Sequence, residues 1–173
     1  IKALIGTAKK LSHDSTLLKA VNSTNDNQKT YLFKKMKKYF HNNFVGKTIG
    51  VWGLAFKPNT NDIRYAPSIE MIELILKNKG SVIAYDPIAN LKNIHDIYSH
   101  KNYKETTNHI KAIRNVDALL ICTEWKEFWS VDVSLFEKQM KDPVIFDGRN
   151  IYPLDKFSDT SIKYFGIGRN LID

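Results

Sequence analysis

Cysteine is almost absent from this chain of 173 residues, in which Cys122 is the only one. A single thiol excludes an internal disulfide framework and is typical of the reducing cytoplasm, which is where we expect the protein. Cys122 closes the apolar stretch Ala-Leu-Leu-Ile-Cys, which is typical of a strand. We therefore interpret it as a small buried hydrophobe rather than as a nucleophile.

Long hydrophobic runs are also missing. No stretch approaches the roughly 20 apolar residues of a membrane-spanning helix, and no signal-peptide pattern opens the chain. The 5 histidines lack the spacing of metal ligands, and no Ser–His–Asp arrangement can be argued. We therefore expect no membrane partner and no metal site.

Positive charge is what the chain has in excess. Its 26 Lys and Arg residues stand against 18 Asp and Glu residues, which gives a formal net charge of +8. This excess favours an anionic partner but does not choose among nucleic acid, an acidic membrane surface and a phosphorylated small molecule. Because the aromatic residues do not interleave with the basic ones in an RNA-recognition pattern, we expect no nucleic acid. A non-enzymatic basic α/β module that binds nucleic acid is kept as the alternative from another class.

Apolar stretches alternate with helical patterns from residue 44 onward. The pattern predicts strands at residues 48–53, 81–85, 117–122, 144–146 and 162–165, with helices over 67–78, 106–113 and 133–140. Such alternation indicates an α/β fold with a doubly wound, mainly parallel, Rossmann-like sheet over residues 44–173.

A helical segment, residues 1–43, precedes the predicted sheet and contains one long helix over residues 15–40. Asn25 and Gln28 lie on the apolar stripe of this helix. Either this face pairs with other polar groups, such as those of a second subunit, or the stripe meets solvent there.

The loop after the first predicted strand carries two cations, Lys57 and Arg64, ahead of a helix that begins near Pro67. In an open parallel sheet such loops lie at the carboxyl edge, where ligands bind. Arg149 follows the fourth strand, so the topology brings it to the same edge, where it would flank one ligand together with Lys57. Two cations beside backbone N–H groups suit phosphate, and we predict a nucleotide-sugar site. The loop lacks Gly-x-Gly-x-x-Gly, so it is not an ordinary NAD loop.

Two other strand ends allow two interpretations each. Asp86 could bind an adenine ribose as in Rossmann folds, or it could be a turn residue before Pro87, which the missing glycine pattern favours. Glu124 and Trp125 could orient a sugar or nucleoside, or they could cap the following helix.

Several of these stretches carry a family resemblance. Gly-Leu-Ala-Phe-Lys-Pro-Asn-Thr-Asn-Asp-Ile-Arg, at 53–64, closely resembles the signature of the UDP-glucose/GDP-mannose dehydrogenases. Further landmarks follow in the family's order: Tyr-Asp-Pro at 85–87, Thr-Glu-Trp at 123–125, Phe-Asp-Gly-Arg-Asn at 146–150 and Gly-Ile-Gly-Arg at 166–169. The chain is most similar to the bacterial branch that acts on UDP-glucose, and the resemblance covers nearly all of it.

The resemblance implies roles for individual residues. Phe56 and Lys57 match residues that contact UDP, and Arg149 matches an arginine that also binds the nucleotide sugar. Arg64 matches an arginine that reaches NAD bound by another domain. Tyr65 departs from the family pattern, which commonly has an acidic residue there that could steady Arg64.

The resemblance also implies that the chain is the C-terminal part of a longer enzyme. That enzyme oxidises UDP-glucose to UDP-glucuronate with two NAD molecules, through a thiohemiacetal on a cysteine that would precede residue 1. We therefore expect no catalytic residue in this chain, no dehydrogenase activity of the chain alone, and a homodimer built through the long helix. A UDP-N-acetylhexosamine or GDP-mannose dehydrogenase is the alternative within the family.

Overall fold

The computed structural model describes residues 1–169 and contains one sheet of six parallel strands. The strands are β1 (Thr48–Trp52), β2 (Ser81–Tyr85), β3 (Tyr103–Glu105), β4 (Ala118–Ile121), β5 (Val144–Asp147) and β6 (Lys163–Gly166). Across the sheet they follow the order β3-β2-β1-β4-β5-β6, and every neighbouring pair is parallel. The predicted parallel α/β sheet is confirmed. The order reverses between β1 and β4, and such a reversal opens a crevice at the carboxyl ends of the strands.

Helices precede the sheet and connect its strands. They are α1 (Lys2–Lys10), α2 (Thr16–Lys29), α3 (Tyr31–Tyr39), α4 (Pro67–Lys77), α5 (His95–Tyr98), α6 (His109–Ile113), α7 (Lys126–Trp129) and α8 (Val133–Gln139), with a 3-10 turn at Leu154–Phe157. Over residues 1–169, none of them is long and apolar enough to cross a membrane.

The core consists of two apolar layers, one on each face of the sheet. Successive residues of a strand alternate between the faces, so Val51 packs in one layer and its neighbour Trp52 in the other. Helices α3 and α4 cover the first face, with Met36 and Ile72 fully buried. Helices α6, α7 and α8 cover the second face, where Trp52 stacks on Phe128 at 4.8 Å between ring centroids. Because both faces are covered, β4 is buried along its whole length.

The single long helix predicted over residues 15–40 is wrong, because the structure divides it at Thr30. The Thr30 backbone, with φ −97° and ψ 1°, ends α2, and its hydroxyl donates a hydrogen bond to the Asn27 carbonyl at 3.3 Å. A hydroxyl bonded back onto the preceding turn competes with continued helix. A new helix starts at once, since the N–H of Lys34 donates to the Thr30 carbonyl at 3.2 Å.

The segment between β2 and β4 also differs from the prediction. It contains the short helix α5 and the edge strand β3, neither of which was predicted. The helix expected over 106–113 begins only at His109, because the Asn108 side chain caps it by accepting hydrogen bonds from the N–H groups of Ile110 and Lys111.

The turn after β1 depends on Gly53. Its φ is +87°, in the region that favours glycine, and a Cβ there would lie 2.6 Å from the hydroxyl oxygen of Thr123. This hydroxyl donates a 2.6 Å hydrogen bond to the Ala55 carbonyl. The β1 and β4 ends are therefore in direct contact beneath the crevice.

Candidate functional site

A cavity of about 380 Å³ lies at the carboxyl edge of the sheet. The α2–α3 junction, the loop after β1, the start of α4 and the ends of β4 and β5 contribute to it. Its lining consists of Asn25, Gln28, Lys29, Leu32, Phe56, Tyr65, Pro67, Met71, Leu120, Ile121, Cys122, Gly148, Arg149 and Ile167. We call it the carboxyl-edge cavity. Most of its wall is apolar, with a few polar groups at the rim, which is typical of small-molecule sites.

Phe56 and Arg149, two of the predicted ligand contacts, line the same cavity although they belong to different strand-end loops. The Phe56 side chain is 51% exposed, and its N–H donates to the Asp62 carbonyl at 2.8 Å, which folds the loop back on itself. Lys57 is exposed and is not among the described residues that line the cavity. The expected juxtaposition of Lys57 with Arg149 therefore stays a prediction, whereas that of Phe56 with Arg149 is observed.

The guanidinium of Arg149 is held by Glu124. Arg149 donates through Nε and through a terminal nitrogen, the latter at 2.7 Å, to the two carboxylate oxygens of Glu124. Burial alone would raise the pKa of Glu124, but the hydrogen bonds and the charge of Arg149, together with a backbone hydrogen bond, leave the pKa lowered. Glu124 makes no side-chain cap to α7, so the capping interpretation is wrong, and the interpretation that it orients a sugar or nucleoside stays a prediction. It orients the arginine.

Asp147 fixes the backbone that carries Arg149. Its carboxylate is fully buried and accepts hydrogen bonds from the N–H of Arg149, the N–H of Ile151 and the hydroxyl of Tyr164, all at 2.8 Å. Burial raises the pKa of Asp147 despite these bonds. Sequence reasoning missed this residue, and its only signal was an acidic residue directly after a buried strand.

Asp86 ties three strand-end segments together. One carboxylate oxygen accepts from the N–H of Leu54 at 2.7 Å, the N–H of Ala55 at 3.1 Å and the indole N–H of Trp125 at 3.1 Å. The other accepts from the N–H groups of Ile88 and Ala89 at 2.9 and 2.7 Å. The interpretation of Asp86 as a turn residue is confirmed, and the structure adds that it anchors the loop leading to Phe56.

Arg64 lies outside the carboxyl-edge cavity, in a neighbouring open cavity of about 550 Å³. Its side chain is 81% exposed and forms a forked pair with Asp62, with nitrogen–oxygen distances of 2.9 and 2.7 Å. The hydrogen bonds from Arg64, with a smaller contribution from the charge of Lys57, lower the pKa of Asp62 to about 2. Asp62 therefore steadies Arg64, which the sequence analysis expected of an acid at position 65.

Tyr65 separates the two cavities and lines both of them. Its φ of 59° is unusual for a tyrosine, and its side chain is 75% exposed. Asn25 and Gln28, whose role the sequence left open, face the carboxyl-edge cavity from α2 and stay exposed there.

Cys122 lies on the floor of the carboxyl-edge cavity but is 93% shielded, with a relative exposure of 7%. Burial raises the pKa of its thiol to about 12, so the thiolate is not available near neutral pH. The interpretation as a buried hydrophobe is confirmed. Among residues 1–169, no three His, Cys, Asp or Glu side chains are grouped so that they could hold a metal ion.

The arrangement defines a class of protein. An apolar cavity at the switch point of a parallel sheet, with an aromatic ring and an oriented arginine on its wall, is the geometry of a nucleotide-binding α/β domain. Residues 50–154, more than half of the chain, match the UDP binding domain of the UDP-glucose/GDP-mannose dehydrogenase family. The chain belongs to this family.

Curated relatives agree with this assignment. The chain is 36% identical over 172 residues to UDP-glucose 6-dehydrogenase of Pseudomonas aeruginosa, covering 98% of this chain and 38% of that protein. It is 36% identical over 170 residues to UDP-glucose 6-dehydrogenase YwqF of Bacillus subtilis, with the same shares covered. A solved UDP-glucose dehydrogenase from Pyrobaculum islandicum superposes with a TM-score of 0.76 at 25% identity, covering 95% of this chain and 35% of that chain. The chain thus spans well under half the length of these relatives.

A dinucleotide does not fit the loop after β1 in this domain. The N–H groups of Leu54 and Ala55, which follow the turn at Gly53, already donate to Asp86 and are not free to bind a pyrophosphate. This agrees with the missing glycine pattern. The described residues therefore offer no NAD cradle of their own.

Proposed function

We propose that the carboxyl-edge cavity binds the UDP moiety of a nucleotide sugar, as part of a cytoplasmic, NAD-dependent UDP-glucose 6-dehydrogenase that converts UDP-glucose to UDP-glucuronate. The observation that carries this proposal is the meeting of Phe56 and the Glu124-oriented Arg149 on one apolar cavity. The names of the similar proteins support the reaction and the use of NAD. The cytoplasmic location is supported only by the single cysteine.

Each part of the cavity suits one part of UDP. Phe56 offers an aromatic face on which a base can stack, and Leu32 and Met71 extend the apolar wall. Arg149 offers a planar fork to the diphosphate, a geometry that a lysine cannot provide. Lys57 would approach the diphosphate from the exposed side of the loop as a point charge. A concave cavity of this size fits one nucleotide better than an extended nucleic acid, so the nucleic-acid module is disfavoured.

Titration of the 173-residue chain with UDP and with GDP tests the proposal by calorimetry. We expect UDP to bind more tightly than GDP, because a cavity of about 380 Å³ is a closer fit for the smaller pyrimidine base. Lys57→Ala should weaken the binding of UDP about threefold to tenfold. The effect should be smaller than that of removing Arg149, because an exposed charge contributes less to binding than a partly buried one. The matched control is Lys19→Ala, which removes an exposed lysine of α2. Tighter binding of GDP would favour the GDP-mannose alternative, and an unchanged affinity of Lys57→Ala would remove Lys57 from the site.

We propose further that Arg64 contacts NAD held by the part of the enzyme outside this chain. Its guanidinium is exposed, stands in a separate cavity and is pre-oriented by Asp62, so it is available to a ligand that approaches from the other side of the loop. In the full-length enzyme, Arg64→Ala should raise the KM for NAD about tenfold and change the KM for UDP-glucose less than twofold. Steady-state kinetics with each substrate varied in turn measures both. Equal effects on the two substrates, or no effect on either, would leave Arg64 as a structural partner of Asp62.

The homodimer expected through the long helix stays a proposal, and because that helix is divided at Thr30 we now propose that α1 and α2 build it together. Neither helix has a buried residue, and Leu4, Leu11 and Leu17 are 56%, 64% and 77% exposed. Apolar side chains at this density mark a surface that another protein segment covers. Sedimentation equilibrium of the full-length enzyme should give the mass of a dimer, and Leu17→Glu should shift it toward the monomer. A monomer before substitution contradicts the proposal.

A further inference from the structure

A second concave surface lies at the opposite, amino-terminal edge of the sheet, with a volume of about 550 Å³. Its lining consists of Thr48, Ser81, Val82, Ile83, Lys101, Asn102, Tyr103, Lys104, Lys111, Arg114 and Asn115. We call it the amino-edge groove. It shares no residue with the carboxyl-edge cavity.

The groove exists because α6 covers only part of the sheet face. Gly50, Ile83 and Lys104 are register partners across β1, β2 and β3 and so form one row. Helix α6 sits so close over Gly50 that a Cβ there would lie 2.5 Å from the Ala112 carbonyl oxygen. Ile83 is also buried in this layer, and only Lys104, at the edge of the row, is exposed beside the helix. Lys111 and Arg114, at the end of α6, then form the wall of the groove opposite Lys104.

The charge of the groove is entirely positive. Four cations line it, Lys101, Lys104, Lys111 and Arg114, and no Asp or Glu does. None of the four forms an ion pair with any carboxylate of residues 1–169, whereas Lys47 and Lys141 elsewhere share Asp117 at 3.1 and 3.2 Å. Like charges that converge on a concave surface raise the local potential and attract multiply charged anions.

The ordinary explanations account for only part of this arrangement. A lysine on an edge strand discourages strand addition, which is sufficient for Lys104. Cations near the end of a helix complement its dipole, which is sufficient for Lys111. Neither explanation requires that cations from β3, from the loop before it and from α6 surround the same groove. Thr48 and Ser81 also line the groove, and a hydroxyl can donate a hydrogen bond to a phosphate oxygen.

We propose that the amino-edge groove binds a small anion that carries two or more phosphate groups, independently of the carboxyl-edge cavity. Cations that come from several elements can each contact a different phosphate, so they match a ligand with linked phosphates better than a ligand with one phosphate. A nucleic acid would use a longer track of cations than one groove with the volume of a small-molecule site. The ligand class is therefore a compact polyphosphate rather than a polymer.

The test is calorimetric titration of the 173-residue chain with inorganic tripolyphosphate at about 0.1 M salt, where exposed charges are partly screened. We expect saturable binding that the double variant Lys104→Ala/Lys111→Ala weakens at least tenfold. The matched control, Lys19→Ala/Lys138→Ala, removes the same charge from exposed positions on α2 and α8 and should change affinity less than twofold. All four side chains are exposed, and circular dichroism checks that the variants are folded.

Five results would overturn the proposal. Equal losses in the two double variants would mean attraction by net charge alone. Inorganic phosphate binding as tightly as tripolyphosphate would remove the requirement for linked phosphates. A single-stranded DNA oligonucleotide that binds more tightly and displaces tripolyphosphate would make this a nucleic-acid surface. Loss of tripolyphosphate binding in Arg149→Ala would place the anion in the carboxyl-edge cavity, and no saturable binding at all would leave the groove without this function.

Discussion

Replacing Arg149 with alanine is expected to weaken binding of UDP by about 10- to 100-fold. Arg149 lies on the wall of the carboxyl-edge cavity and is already held in position by a forked pair with Glu124, so its hydrogen bonds to phosphate require little further ordering. Charge-assisted hydrogen bonds contribute about 1.5–3 kcal/mol, and about 1.4 kcal/mol corresponds to a factor of ten. Calorimetry with UDP measures the loss directly.

Two further variants make the Arg149 result specific. Arg149→Lys keeps the charge but loses the fork, so we expect an intermediate loss. Lys138→Ala removes an exposed cation of α8 that lines neither the carboxyl-edge cavity nor the amino-edge groove, and it should leave the affinity for UDP nearly unchanged. Because Arg149→Ala leaves Glu124 without its partner, thermal unfolding should be recorded for each variant. If folded Arg149→Ala binds UDP as the parent chain does, the cavity is not the diphosphate site.

Replacing Asp86 with alanine is expected to lower the free energy of unfolding by about 3 kcal/mol. The substitution removes the acceptor of five hydrogen bonds, and four of their donors belong to buried residues, namely Leu54, Ala55, Ala89 and Trp125. A buried donor without an acceptor costs about 1–3 kcal/mol, and water can satisfy part of this set. Urea denaturation measures the change.

The same substitution should also weaken UDP binding at temperatures where the variant is folded, because the anchored N–H groups immediately precede Phe56. Asp96→Ala is the control, since Asp96 is an exposed acid of α5, and we expect a change within about 0.5 kcal/mol. Asp86→Asn keeps an acceptor oxygen, so its free energy of unfolding should lie between those of Asp86→Ala and Asp96→Ala. An unfolding free energy unchanged in Asp86→Ala would contradict the anchoring role.

Local sequence patterns predicted the sheet well where strands are long and buried. The stretch 81–85 coincides with β2, and the apolar run before Cys122 contains β4, because continuous burial on both faces leaves an unbroken apolar stretch. The three-residue strand β3 lacks such a stretch, since its middle residue Lys104 faces the solvent. The break at Thr30 was missed because apolar residues recur at helical spacing on both sides of it, and a single hydroxyl bond marks the boundary.

The residue types at the strand ends and the parallel order of the strands were enough to bring Phe56 and Arg149 to one edge, because parallel strands end on the same side of a sheet. Which side chains pair there was decided by the tertiary structure. Glu124 holds Arg149 across two strand-end loops, and Asp86 reaches the loop after β1. Such partnerships depend on distances of a few ångströms between segments far apart in the chain, which no local pattern encodes. The amino-edge groove has the same origin, since only the tertiary structure brings cations of β3, of the loop before it and of the end of α6 to the lining of one groove.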